Sequence, residues 1–109
     1  MNYNHLILDI KLEKIIKIEQ VNNICKKIAN ILNLTILREE KYIFNNGWFT
    51  LFYLLAESHI SAHYRIEDNY LALDIYSCRN IKTYEKQIIE TLNKLWIKDI
   101  KITKLLRSI

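Results

Sequence analysis

Residues 45–65 read NNGWFTLFYLLAESHISAHYR and contain the clearest turn and strand signals of the chain. Asn45-Asn46-Gly47 predicts a tight turn, because Asn and Gly tolerate the positive φ that hairpins need. Residues 48–56 form an almost unbroken aromatic and aliphatic run, which predicts a central strand covered on both faces. Residues 59–65 predict the next strand, so this segment predicts a hairpin at the centre of a sheet.

The flanking segments predict more strands and two helices. Apolar residues recur at steps of four, three and four within residues 18–33, which predicts an amphipathic helix. A broad apolar stripe predicts a second helix over 83–96. Alternating or apolar patterns predict strands at four further places, 6–12, 34–44, 70–77 and 99–106.

This order predicts an α+β fold, a two-layer α/β sandwich with a mostly antiparallel sheet and both helices on one face. With 109 residues and half of them apolar, the chain is long enough for one core, so residues 1–109 are predicted to be a single domain. Cys25, Trp48, Tyr53 and Trp96 are interpreted as packing residues.

Charge and composition favour no macromolecular partner. The net charge is +4, but basic residues are interspersed with carboxylates, so we expect no nucleic-acid partner. The first residues have no signal-peptide pattern and no apolar run reaches membrane-spanning length, so we expect no membrane partner and a cytoplasmic location. The two cysteines, Cys25 and Cys78, have no paired spacing and no histidine cluster, so we expect no metal site and no disulfide.

Two motifs carry chemistry-bearing residues around the predicted hairpin. Residues 54–63 read LLAESHISAH, and residues 70–78 read YLALDIYSC. The first resembles the processing site of bacterial and archaeal S-adenosylmethionine decarboxylase proenzymes, Glu-Ser-His-(Ile/Leu)-(Ser/Thr)-x-His. The second resembles the strand of that family that carries Asp and ends in (Thr/Ser)-Cys. Both motifs match in order and separation, and residues 44–78 carry most of the resemblance.

The resemblance implies that the chain cleaves itself between Glu57 and Ser58. The Ser58 hydroxyl, in a strained turn, attacks the Glu57 carbonyl carbon and converts the amide to an ester. β-Elimination then expels the Glu57 carboxylate and leaves dehydroalanine, which hydrolyses to a pyruvoyl group. The expected fragments are 1–57 and 58–109. His63 is expected to assist this processing, and Thr50 is expected to supply a hydroxyl that assists the acyl shift.

The resemblance also implies roles in decarboxylation. The pyruvoyl ketone at residue 58 forms a Schiff base with a substrate amine and withdraws electrons as the carboxylate leaves. Cys78 is the expected proton donor to the resulting carbanion, and a thiol suits this role because neighbouring groups can draw its pKa toward neutrality. Phe44 is expected to stack on adenine and Glu67 to bind the ribose. Further substrate contacts are expected from Leu55, Glu57 and Arg65.

The sequence departs from the family pattern at the substrate positions. The family reads His-Thr-(Trp/Tyr)-Pro-Glu where this chain reads His63-Tyr64-Arg65-Ile66-Glu67, and the glycine after the cysteine is replaced by Arg79. Arg65 can stack on a base or hold a carboxylate. The departures therefore leave the cofactor chemistry in place and open the identity of the substrate.

Three hypotheses follow. The first is an S-adenosylmethionine decarboxylase that serves spermidine synthesis and, by the resemblance, is a homodimer of cleaved protomers. The second keeps the pyruvoyl chemistry and takes ornithine or arginine as its substrate, because Arg65 and Ile66 replace the aromatic-proline pair. The third is a binding module without enzymatic activity, either an uncleaved partner subunit or a basic nucleic-acid binder.

Overall fold

The chain folds into one six-stranded antiparallel sheet and two α-helices, which a computed structural model describes for residues 1–108. The elements are β1 (His5–Leu12), α1 (Ile18–Ile31), β2 (Ile36–Ile43), β3 (Phe49–Leu55), β4 (Ser58–Arg65), β5 (Tyr70–Tyr76), α2 (Glu85–Leu92) and β6 (Ile97–Leu105). The order in the sheet is β2-β3-β4-β5-β1-β6. The predicted α+β fold is confirmed.

The core lies between the helices and one face of the sheet. The alternating residues of β1 that the sequence predicted to be buried, from Leu6 to Leu12, are all buried. The apolar stripe of α1, from Val21 to Leu32, is also buried, and Ile88 and Leu92 of α2 complete this layer. Each fully buried aliphatic side chain contributes roughly 1.5–3 kcal/mol of transfer free energy, so this layer holds the two motifs on a rigid support.

The opposite face of the sheet has no helix over it among residues 1–108, and we call it the open face. In β3, Leu51 and Tyr53 point into the core, whereas Phe52 and Leu54 are 39% and 43% exposed. The prediction that this strand is covered on both faces is therefore wrong for the single chain, since both helices lie on one side. By strand alternation and register, the open face carries His5, Asp9, Thr50, Phe52, Leu54, His59, Ser61, His63, Arg65, Tyr70, Asp74 and Tyr76.

The second helix is shorter than predicted. Only Glu85–Leu92 is α-helical, and 3₁₀ turns at Ile81–Tyr84 and Asn93–Leu95 flank it. Trp96 has a φ of +57° and is 50% exposed, with the Lys14 ammonium 4.0 Å from the centre of its ring. The prediction that Trp96 ends the helix as a core residue is wrong, because the chain reverses there to enter β6.

Two hairpin turns lie at opposite ends of β4. Leu55 pairs with Ser58, so only Ala56 and Glu57 connect β3 to β4. Residues 66–69 connect β4 to β5 at the other end of the strands. We call these ends the Ser58 end, which includes residues 56–58 and 77–79, and the Arg65 end, which includes residues 44–48 and 65–70.

Candidate active site

The turn at the expected cleavage point has an unfavourable backbone conformation. Glu57 has a φ of +71°, in the left-handed region that a glutamate side chain disfavours by about 1–2 kcal/mol. The common two-residue hairpin turns have positive φ at their first central residue, but here Ala56 has negative φ and only Glu57 is left-handed. The Ala56 N–H donates to the Thr35 carbonyl at 3.0 Å, which fixes the chain just before this residue. The expected strained turn is therefore present at Glu57.

Ser58 begins β4 with its side chain on the core side of the sheet, 8% exposed. Its Oγ is buried and has no hydrogen-bond partner among residues 1–108. A buried hydroxyl without a partner costs about 1–3 kcal/mol, and native proteins rarely keep one. No hydrogen bond from the described residues therefore stabilises the Ser58 hydroxyl in the uncleaved chain. This hydroxyl directly follows the strained Glu57 in the sequence. This environment fits the formation of a pyruvoyl group at residue 58.

Cys78 lies beside Glu57 because of the pairing between β4 and β5. His59 pairs with Tyr76, so the residue two positions after Tyr76 comes next to the residue two positions before His59. The Cys78 thiol donates a hydrogen bond to Oε2 of Glu57 at 3.1 Å. Cys78 is exposed, whereas Cys25 is buried in the core as predicted. The structure therefore brings together three predicted site residues, Glu57, Ser58 and Cys78.

The environment of the two cysteine thiols raises the pKa of both. The hydrogen bond to Glu57 is the largest cause for Cys78, burial and the Glu57 charge add to it, and the Arg79 charge partly opposes it. Burial raises the pKa of Cys25 to about 12. In the uncleaved chain the pKa of Cys78 is thus shifted away from neutrality, because the hydrogen bond to the Glu57 carboxylate outweighs the opposing charge of Arg79.

His63 and Thr50 form a second pair on the open face. The two residues are cross-strand partners in β4 and β3, and Thr50 Oγ1 is 3.0 Å from His63 Nδ1. The hydroxyl that was predicted to assist the acyl shift therefore lies within hydrogen-bond distance of the histidine that was predicted to assist processing. The roles of both residues in processing stay predictions.

The His63 pair is remote from Ser58 within one chain. Five residues of strand separate Ser58 from His63, which is about 16 Å at the rise of a β-strand. An odd separation also puts the two side chains on opposite faces of the sheet. The structure thus does not bring together the complete set of Ser58, His63 and Cys78 in a single chain.

The predicted substrate residues Phe44 and Glu67 both lie at the Arg65 end, and each is hydrogen-bonded to Trp48. Phe44 is 45% exposed, and its ring packs edge-on against Tyr42 at a centroid distance of 4.8 Å. The backbone N–H of Phe44 donates to the Trp48 carbonyl, and the Trp48 indole N–H donates to the Glu67 carboxylate at 2.7 and 2.5 Å. Trp48 is therefore more than a packing residue. Leu55, by contrast, is buried in the core next to Ser58.

Arg65 is held by two residues that were not predicted to belong to the site. Its guanidinium donates to both carboxylate oxygens of Asp68, at 3.3 and 2.7 Å, and lies 4.7 Å from the centre of the Tyr70 ring. This contact raises the pKa of Arg65 and lowers that of Asp68, with the hydrogen bond as the largest cause in each case. The spacing of three residues across a turn was the available signal for Asp68, and strand pairing was the signal for Tyr70.

A His5–Asp74 pair also lies on the open face and was not predicted. His5 Nε2 is 2.5 Å from Asp74 Oδ1, and Nδ1 of His5 is buried with no partner among residues 1–108. His59 stacks on Phe52 and tilts against Tyr76, with centroid distances of 5.7 and 5.8 Å. These contacts cross four neighbouring strands, which sequence spacing alone does not reveal. Within the same described residues, no helix has the length and apolar character needed to span a membrane.

Comparison with known proteins identifies relatives of this chain. A family model described as S-adenosylmethionine decarboxylase matches residues 4–108. The S-adenosylmethionine decarboxylase proenzyme of Clostridium botulinum (strain Loch Maree / Type A3) is 27% identical over 107 residues, which are 95% of this chain and 92% of that protein. The proenzyme of the same name from Sulfurihydrogenibium sp. (strain YO3AOP1) is 35% identical over 94 residues, 81% of this chain and 71% of that protein.

A solved structure supports the fold. The crystal structure of the adenosylmethionine decarboxylase from Aquifex aeolicus VF5 matches with a TM-score of 0.80, covering 100% of this chain and 94% of that chain at 24% identity. The family model, by contrast, covers nearly the whole sequence and includes both motifs. The chain therefore belongs to the S-adenosylmethionine decarboxylase family.

Proposed function

We propose that the chain is an S-adenosylmethionine decarboxylase that makes its own pyruvoyl cofactor by breaking the bond between Glu57 and Ser58. One observation carries the proposal. The residue before the expected cut has a φ of +71°, and the residue after it has a buried hydroxyl without a hydrogen-bond partner among the described residues. A strained carbonyl next to an unsatisfied nucleophile is the arrangement that an N-to-O acyl shift needs.

The cleavage proceeds in two parts. The Ser58 oxygen attacks the Glu57 carbonyl carbon, the C–N bond breaks, and the hydroxyl proton ends on the Ser58 nitrogen. A base then removes the α-proton of residue 58, and the main-chain carboxylate of Glu57 leaves from the β-carbon of residue 58. The dehydroalanine tautomerises to an imine, which water converts to a ketone with release of ammonia. The products are fragment 1–57, which ends in a carboxylate, and fragment 58–109, which begins with the pyruvoyl group.

The cofactor supplies a ketone that withdraws electrons from the substrate carbon while carbon dioxide leaves. Cys78 lies beside Glu57 and carries the proton that replaces the lost carboxyl group. The decarboxylated product is an aminopropyl donor, and we assign it to spermidine synthesis. Free thiols at Cys25 and Cys78 suit a reducing compartment, so we place the enzyme in the cytoplasm.

The active site is completed by a second copy of the chain. His63 lies about 16 Å along the strand from Ser58, which is too far for it to act on Ser58 of its own chain. The open face also exposes Phe52 and Leu54, which a partner sheet can cover. A two-fold axis through this face would place the His63 pair of each chain near the Ser58 end of the other. We therefore propose a homodimer of cleaved protomers with shared sites.

Intact mass under denaturing conditions tests the cleavage. The purified chain should give two fragments whose masses add up to 13.1 kDa plus the one water taken up and minus the one ammonia released, and fragment 58–109 should react with hydroxylamine at its terminal ketone. Ser58→Ala should stay whole. Ser61→Ala, a serine change on the open face of the same strand, should cleave as the parent does. A parent chain that remains a single uncleaved species would refute the proposal.

Co-expression of two inactive variants tests the shared site. Ser58→Ala and His63→Ala chains should each stay largely uncleaved alone. In a mixed dimer, one site combines the intact Ser58 of one chain with the intact His63 of the other, so about a quarter of the wild-type number of sites should form. Cleavage of the His63→Ala chain only in the mixture supports the arrangement. Equal cleavage with and without the Ser58→Ala partner contradicts it.

Arg65 is the observation that favours the second candidate, a decarboxylase of ornithine or arginine. A free cation at that position would attract a substrate carboxylate, but the Arg65 guanidinium is already paired with Asp68 and stacked on Tyr70. This pairing reduces its repulsion of a sulfonium and therefore favours S-adenosylmethionine. Release of carbon dioxide from each of the three substrates decides between them, and release from ornithine or arginine alone would establish the second candidate.

A further inference from the structure

We propose that the Glu57 side chain has a second task besides preceding the cut, and that its carboxylate is a positioning residue that keeps the proton on Cys78 and fixes the thiol beside residue 58. This inference rests on the proposed function, in which Cys78 donates a proton during decarboxylation. It concerns a contact that joins the two fragments, since Glu57 ends one and Cys78 belongs to the other.

Hydrogen bonds that cleavage leaves intact hold both partners of this contact. The Ala56 N–H donates to Thr35 at 3.0 Å and fixes the chain just before Glu57. On the other side, the Ser77 N–H donates to the Asn4 carbonyl at 2.9 Å, and the Arg79 N–H donates to Ser77 Oγ at 2.9 Å. Because none of these bonds uses the amide between residues 57 and 58, the Glu57 carboxylate stays within reach of the thiol after the cut.

A proton donor must carry its proton when the substrate carbon needs it. A thiol next to a cation loses that proton near neutral pH and becomes a nucleophile instead. Here the carboxylate and the Arg79 guanidinium act in opposite directions, and the net effect is a raised pKa of Cys78 with the Glu57 hydrogen bond as the largest cause. The side chain of Glu57 therefore favours the protonated thiol over the thiolate.

The protonation state of Cys78 determines how often the ketone at residue 58 is lost. In normal turnover, the proton moves from Cys78 Sγ to the substrate carbon that lost carbon dioxide, and solvent later returns a proton to the sulfur. If the proton reaches the carbon of residue 58 instead, hydrolysis leaves an alanine amine there and a substrate-derived aldehyde, and the ketone is lost. A thiol that is ionised or misplaced makes this loss more frequent.

The first test uses chains that do not cleave, so it does not depend on activity. Ser58→Ala is compared with Ser58→Ala/Glu57→Gln, because glutamine keeps a hydrogen-bond acceptor and removes the charge. The rate of Cys78 alkylation by iodoacetamide is measured from pH 6 to pH 10 by peptide mass spectrometry. Cys78 is exposed and borders a cavity of about 200 Å³, so we expect the reagent to reach it, and buried Cys25 serves as an internal unreactive thiol.

The Glu57→Gln change should move the midpoint of the pH–rate curve to lower pH and speed alkylation at pH 7.5 by about threefold or more. Ser58→Ala/Glu90→Gln removes the same charge from the exposed surface of α2 and should leave the curve unchanged. Coincident curves for the Ser58→Ala chain with and without the Glu57→Gln change would overturn the proposal while leaving the cleavage hypothesis untouched.

The second test uses the cleaving chain. Glu57→Gln should still cleave, because the reacting carbonyl belongs to the backbone, but it should lose its hydroxylamine-reactive ketone after severalfold fewer turnovers than the parent. Loss of the ketone at the parental rate per turnover would overturn the proposal. A parent that never acquires a ketone would instead refute the proposed function, and the alkylation experiment would still decide the role of Glu57.

Discussion

The two turns that flank β4 both contain a left-handed residue, but they treat it differently. At the Arg65 end, Asn69 has a φ of +48°, and asparagine is among the residues that tolerate this conformation. Its side chain donates to the Leu12 carbonyl at 2.8 Å and accepts from the Tyr64 hydroxyl at 2.6 Å. At the Ser58 end, Glu57 has a φ of +71°, and the next residue has a hydroxyl without a partner in the described chain.

This contrast shows that the fold can satisfy a left-handed turn, and it does so at the Arg65 end, where no bond is expected to break. The polar groups of the Arg65 end are mostly paired, including Arg65 with Asp68 and Trp48 with Glu67. Of these two turns, only the one that the motif predicts to break places a left-handed glutamate next to a hydroxyl without a partner among the described residues. A turn with a satisfied left-handed residue and the turn that we propose to break therefore occur at the two ends of one strand.

Of the changes in these two turns, Asn69→Ala should have the largest effect on the free energy of unfolding. In the uncleaved Ser58→Ala background, the change removes the partner of the buried Tyr64 hydroxyl and puts alanine in the left-handed region. We expect a loss of about 2–4 kcal/mol in the free energy of unfolding, measured by denaturant titration. Asn46→Ala, in the exposed β2–β3 turn, should cost less than half as much. Equal costs at the two positions would contradict the structural role given to Asn69.

A smaller effect of opposite sign is expected from Glu57→Gly. Glycine adopts positive φ without strain, so the uncleaved Ser58→Ala chain should gain about 1 kcal/mol of stability in the same titration. In the cleaving chain, the same change should slow the appearance of fragments, because the strain no longer promotes the acyl shift. Glu40→Gly in β2, where φ is not left-handed, should destabilise instead. A loss of stability at position 57 would show that the turn is not strained.

The smallest effect should be the pH dependence contributed by Asp68. Its folded pKa lies below the usual value because of Arg65, so its contribution is present above the unfolded pKa and is lost as the pH falls through the folded pKa. In the uncleaved background, Asp68→Asn should slightly lower the denaturation midpoint at pH 7, and the difference should vanish by about pH 2. A difference that persists at low pH would mean that Asp68 acts by packing rather than by charge.

Local patterns predicted most of the fold. Period-two alternation located β1 and β5, and a helical stripe located α1, because each of these elements buries one face against the same core. The prediction that both faces of β3 are covered failed because of its exposed apolar residues. An apolar run does not show whether the second face is covered by the same chain or by a partner. The end of α2 was misplaced because a left-handed Trp96 has no local signal.

The sequence predicted which residues belong to the candidate site, but it did not predict which of them are in contact. The motifs identified Glu57, Ser58 and Cys78, and the pairing of β4 with β5 brings them together. The same register places His63 with Thr50 and away from Ser58. The direction of the Cys78 pKa shift could not be predicted either, because it depends on a carboxylate that is 21 positions away in sequence and in hydrogen-bond contact in space.

Because of the strand order, the two fragments would remain parts of one shared sheet after the proposed cut. Fragment 1–57 would contribute β1, β2 and β3, and fragment 58–109 would contribute β4, β5 and β6, yet β1 is inserted between β5 and β6. Three of the five strand pairings in the sheet, β3–β4, β5–β1 and β1–β6, would then join different polypeptides. The halves are interlaced, so neither can depart without dismantling the sheet. Once separated by denaturant, they would have to find each other by diffusion, and recovery would become second order in protein concentration.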